Sequence, residues 1–80
     1  MREHAGLVRA LETAQRRLGR RLRELRADRG LSQEQAAERA MLSAKHLRRL
    51  EGGEANVTLA SLIACARAYG VQLRDLFDAE

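Results

Sequence analysis

Between Ser43 and Glu51 the chain sets four basic side chains, Lys45, His46, Arg48 and Arg49, around two leucines, Leu47 and Leu50. Leucines three residues apart share one face of an α-helix, and the basic residues fall outside that face. Guanidinium and ammonium groups are hydrogen-bond donors without acceptors of their own. Held on the free side of an anchored helix, they suit phosphate oxygens and the acceptor edge of guanine, and a helix this short fits a DNA major groove.

Such a helix needs a support. Ser43 is a good N-cap for it. Upstream, Ser32 is a second N-cap, and Gln35 three residues later can close a capping box, so a helix is expected from Gln33. Ala36, Ala37 and Ala40 give that helix a small-residue face on which a neighbour can lie close. The stretch 32–51 therefore reads as two short helices joined by a tight turn.

The elements around this pair follow from the same signals. Leu18, Leu22 and Leu25 form an apolar stripe that Gly30 can end with a left-handed cap. Arg16, Arg17, Arg20, Arg21, Arg23 and Arg29 surround the stripe, mostly as solvated surface with some in reach of phosphates. After a polar loop from Gly52 to Val57, where Asn56 can bend the backbone, Thr58 caps a further helix with Leu59, Leu62, Ile63 and Ala66 facing inward. Tyr69 either closes the core or sits at its rim. Gly70 ends this helix, and Leu73, Leu76 and Phe77 serve a short final one. Cys65 reads as a packing residue or an interface thiol rather than a reactive one.

Ahead of the stripe, Leu7, Leu11, Ala14 and Leu18 repeat at spacings of four, three and four, the seam of a coiled-coil-like helix. Residues 3–29 read as one helix of about 40 Å or as two hinged near Gln15 to Gly19. The segment is open to two uses, a dimerisation arm or a helix folded back on its own domain.

Eighty residues make one domain, and the absence of proline and tryptophan beside abundant Ala, Leu, Arg and Glu is an all-α palette. One cysteine fits a reducing cytosol, and no apolar run is long enough for a signal peptide or membrane span, so a cytoplasmic protein without a membrane partner is expected. The net charge of +4 is unevenly spread. Residues 1–50 carry 13 basic and 6 acidic side chains, +7, and residues 51–80 carry 2 and 5, −3. One end is thus polarised toward a polyanion.

The residues Leu18 to Phe77 resemble the lambda-repressor-like helix-turn-helix domains of the Cro/Xre type. The likeness rests on Arg26, the Gly30-Leu31-Ser32-Gln33 step, Ala37, Ser43, Leu47, Leu50-Glu51, Gly53, Leu62 and Gly70-Val71 together. It implies an all-α, five-helix domain over residues 18–80 with an N-terminal helical extension, residues 1–17. It also implies an ion pair between Arg26 and Glu51 that fixes the recognition helix. Base contacts are carried over to Ala44, Lys45 and Arg49, and phosphate contacts to Gln33, with Ser43, His46 and Arg48 flanking the phosphates. Met41 stands where the family usually has glycine in a positive-φ conformation, so either the turn is rebuilt or packing by Met41 and Leu42 offsets the strain.

The resemblance implies a sequence-specific regulator of transcription that binds a roughly palindromic operator on double-stranded DNA as a homodimer, in the nucleoid. The alternative is a protein-interaction module of the same fold, such as an antitoxin, using the N-terminal seam or the acidic end at Asp75, Asp78 and Glu80 to hold a protein partner. Enzymatic readings find little support. His4, His46 and Cys65 lack metal-ligand spacing, no glycine-rich phosphate loop is present, and neither a metal nor a cofactor is expected.

Overall fold

The structure, a computed structural model, describes residues 2–54 and 57–77, with side chains from His4 onward. Asn56, Asp78 and Glu80 lie outside the described residues. Four α-helices follow in order, α1 Arg2–Asp28, α2 Gln33–Ala40, α3 Ala44–Glu51 and α4 Leu59–Tyr69, before a 3-10 helix at Leu73–Phe77. The expected count of five α-helices is therefore corrected to four plus a 3-10 turn. The last segment is satisfied too locally to need an α-helix: the Gln72 N–H donates to the Asp75 carboxylate and the Asp75 N–H to the Gln72 carbonyl, both at 2.9 Å.

Helix α1 is unbroken through Gln15–Gly19, so the two-helix alternative falls. Residues 4–14 are all exposed, and the first half of α1 projects from the domain rather than folding back over it. The long dimension of the molecule, 42 Å, matches the roughly 40 Å span of a 27-residue helix.

The core draws on every element. Leu18, Leu22 and Leu25 of α1 meet Ala36 and Ala37 of α2, Leu47 and Leu50 of α3, and Leu62, Cys65, Ala66 and Tyr69 of α4, with Leu76 closing one end. Each fully buried leucine contributes roughly 1.5–3 kcal/mol relative to exposure. The inward row of α4 differs from the expected one: Leu62, Cys65, Ala66 and Tyr69 point in, while Leu59 and Ile63 are 63 % and 41 % exposed. Those two lie on the adjoining row, which no other helix among the described residues covers. Tyr69 closes the core. Burial pushes the Cys65 thiol up to about 11, helped by the nearby Glu51 charge. Burial also pushes the Tyr69 phenol up to about 12, with Cys65 and Glu51 adding to it.

Met41 keeps the left-handed conformation, φ 59°, at the end of α2, so the turn is not rebuilt. Its N–H donates to the Glu38 carbonyl at 3.1 Å, and the Leu42 N–H donates to the Ala37 carbonyl at 2.9 Å. Met41 is 91 % exposed and gains no packing in return; only Leu42 tucks against the core. A strain of about 1–2 kcal/mol stays with the turn.

Candidate nucleic-acid interface

Helix α3 is placed by its two ends and its back. Ser43 caps it, the hydroxyl accepting the His46 N–H at 3.0 Å. Leu47, Leu50 and Glu51 are buried beneath it. Its far end rests on α1 at Gly19, where a Cβ would stand 2.5 Å from the Glu51 carbonyl oxygen, so only glycine allows this approach. The sequence marks Gly19 as a weak point in a helix; the structure makes it the crossing point of two.

Glu51, 2 % exposed, joins three helices. Arg26 donates to both of its carboxylate oxygens, Nε to Oε2 at 2.7 Å and Nη2 to Oε1 at 3.0 Å. Gln33 of α2 donates through Nε2 to Oε1 at 2.9 Å. Arg26 Nη1 continues to the Leu31 carbonyl at 3.1 Å, which holds the loop before α2. The hydrogen bond to Glu51 raises the affinity of Arg26 for its proton, against the opposing effect of desolvation. Arg23 adds a hydrogen bond to the Glu51 carbonyl, satisfying the C-terminal end of α3. The Arg26–Glu51 pair implied by the resemblance is thus present, and it extends to Gln33 and Arg23.

The residues carried over as contacts fall into two groups. Lys45, Arg48 and Arg49 are exposed on α3, and none makes a side-chain hydrogen bond or ion pair among the described residues. Ala44 is half-buried and packs on the core, which leaves its methyl group only partly presented. Gln33 is turned to Glu51, although it stands at the start of α2. His46 is half-buried, with Nε2 3.3 Å from Ser61 Oγ at the start of α4. Thr58 extends that contact, its hydroxyl donating to Ser61 Oγ at 2.9 Å and accepting the Ser61 N–H at 3.0 Å. His46 therefore ties α3 to α4.

The arginines of α1 and of the turn that follows it have uses that spacing alone does not reveal. Arg21 donates to the Asp75 carbonyl at 2.9 Å and Arg29 to the Tyr69 carbonyl at 2.6 Å. With Arg23 on Glu51, three cations sit at the carbonyl-rich ends of other elements, where a helix dipole favours positive charge. The only cue in the sequence is their nearness to the apolar stripe. No helix among the described residues is long and apolar enough to cross a membrane.

A helix-turn-helix domain family model matches residues 17–79. The HTH-type transcriptional regulator DdrOP3 of Deinococcus deserti is 40 % identical over 62 residues, 78 % of this chain and 48 % of that protein, so the chain spans about half the length of this curated relative. The restriction-modification controller protein C.AhdI from Aeromonas hydrophila superimposes with a TM-score of 0.76 at 39 % identity, covering 78 % of this chain and 94 % of that one. The clp gene regulator ClgR from Corynebacterium glutamicum gives 0.78 at 30 % identity, covering 82 % and 70 %. With α2 and α3 held at a fixed angle by one glutamate, and with these likenesses, the chain belongs to the helix-turn-helix family in its lambda-repressor-like, Cro/Xre form.

Proposed function

We propose that the protein is a DNA-binding transcriptional regulator whose α3 reads the major groove. The observation that carries this reading is the set of three cations, Lys45, Arg48 and Arg49, without a side-chain partner among the described residues, on the outer side of a helix whose inner side is locked by Glu51. Arg49 reaches guanine O6 and N7 in a bidentate pair worth roughly 1–3 kcal/mol of discrimination, and Lys45 reaches the same acceptors with less direction. Ala44 offers a thymine methyl a partial contact. Ser43 and Arg48 flank the phosphates, and Gln33 and His46 serve them only by leaving Glu51 and Ser61. Two copies bind a roughly palindromic operator, one half-site each, with recognition helices about 34–36 Å apart. Its place of action is the nucleoid.

Selection from a randomised duplex pool, followed by affinity against salt, tests this. A palindrome with guanine in each half-site is expected, and Arg49→Ala abolishes enrichment at that guanine while circular dichroism stays unchanged. Binding that falls steeply with salt but enriches no motif would reduce the protein to phosphate attraction. The protein-interaction reading is favoured by one observation, the exposed Leu7 and Leu11, and absence of any duplex binding would shift the function to it.

A further inference from the structure

The projecting half of α1 has a face with no partner among the described residues. Leu7 and Leu11, 66 % and 51 % exposed, stand four residues apart as a ridge, with Val8 beside them. The next row round the helix is Gly6, Ala10 and Ala14, again four apart, a shallow trough of small side chains. No contact among the described residues calls for glycine at position 6: a Cβ there would meet nothing within 4 Å, yet glycine in a helix interior weakens the helix. The trough continues into an open cavity of about 260 Å³, where Ala10, Ala14 and Leu18 face Leu76 and the exposed ring of Phe77. Helix α1 is unbroken, so Leu7 and Leu11 cannot bend back into this cavity.

We propose that the arm pairs with the arm of a second copy, antiparallel, the Leu7–Leu11 ridge of each lying in the Gly6–Ala10–Ala14 trough of the other. Ridge and trough are adjacent rows of one helix, so a two-fold axis satisfies both at once. Charge selects the antiparallel sense. From Arg16 to Arg29 the chain holds seven arginines, six of them in α1, against Glu24 and Asp28, while residues 4–14 hold only Arg9 and Glu12 as charged side chains. Parallel arms would bring two arginine runs together; antiparallel arms send them to opposite ends and join the neutral segments. The spacing also fits two half-sites. With the crossing near Arg9, Gly19, where α1 supports α3, lies ten residues away, about 15 Å along the helix, or about 30 Å between the two copies. The pairing deepens the two-copy part of the reading above and rests on it, but not on DNA recognition.

Sedimentation equilibrium of the full chain tests it, comparing the wild type with Leu7→Glu/Leu11→Glu and with Ile63→Glu on the exposed row of α4. The expected result is a dimer for the wild type and for Ile63→Glu, and at least a tenfold weaker association for the arm variant, with helical circular dichroism retained in all three. A dimeric arm variant, or a monomeric wild type, overturns the proposal. Mild oxidation of Ala10→Cys gives a covalent dimer in this geometry and Ala14→Cys does not; cross-linking at both positions, as parallel arms would give, or at position 14 alone overturns the antiparallel sense. Duplex selection on the same proteins separates the two readings. An enriched motif with a dimeric arm variant fells the arm alone, and a monomeric arm variant beside a wild type that enriches nothing fells DNA recognition alone.

Discussion

Gly19 of α1 and the Glu51 carbonyl of α3 are so close that a side chain at position 19 would begin 2.5 Å from that oxygen and 2.9 Å from the Leu50 carbonyl oxygen. The atoms in the way are backbone and cannot rotate aside. Gly19→Ala gains about 1 kcal/mol of helix propensity, yet overpacking of this kind costs typically 1–3 kcal/mol. A net loss is expected, with a lower urea midpoint. Gly6→Ala, where a Cβ meets nothing, should instead raise the midpoint of a monomeric arm variant.

Arg26→Ala leaves the buried Glu51 carboxylate with Gln33 but without its cation. Breaking one side of a buried pair commonly costs about 3–5 kcal/mol, and the 21 % exposure of the Arg26 side chain points to the lower end. The loss should appear in chemical denaturation. A double-mutant cycle with Glu51→Gln should show strong coupling, and additivity of the two losses would contradict a direct Arg26–Glu51 joint.

Met41→Gly removes a side chain that is 91 % exposed and relieves a left-handed φ. Stability should rise by up to about 1–2 kcal/mol, less the extra entropy glycine brings to the unfolded chain. Urea denaturation with an unchanged slope and a higher midpoint is the expected record.

Cys65 and Tyr69 predict an alkaline limit. Both folded-state values are raised, to about 11 and about 12 from 9.0 and 10.0, so the unfolded chain loses these protons first as pH rises. Above about pH 9 the unfolded state binds fewer protons and stability falls. The contribution is complete below pH 9 and is lost as pH passes through 11 to 12. Stability measured at rising pH should decline from about 9, and Cys65→Ala should remove the earlier part of the decline. At pH 8 the folded thiol should resist a disulfide reagent that labels the unfolded chain at once.

The two short helices were legible because their caps are local: Ser32 with Gln35, and Ser43 before Ala44, need only neighbouring residues to act. The inward leucines of α1 and α3 were legible for the same reason, being set by helix period. What escaped depends on distant partners. Leu59 and Ile63 share the apolar character of Leu62, and the positions of α1, α2 and the 3-10 helix decide which row is covered. Gln33 carries a plausible phosphate role in sequence, yet its amide meets a carboxylate 18 residues away. Arg21, Arg23 and Arg29 look alike on paper, and the carbonyls they reach lie 28 to 54 residues downstream.

The side chains that face outward on α3 share no member with those that hold it. Lys45, Arg48 and Arg49 form one set, and Glu51, Arg26, Gln33 and Arg23 the other. If α3 reads the operator as proposed, exchanging the first set rewrites the recognised sequence without loosening the mount, as type can be changed in a press whose frame stays bolted. On that reading, duplication of such a chain opens a short route to a new operator: two or three substitutions on one helix, none of which has to be repaired in the core.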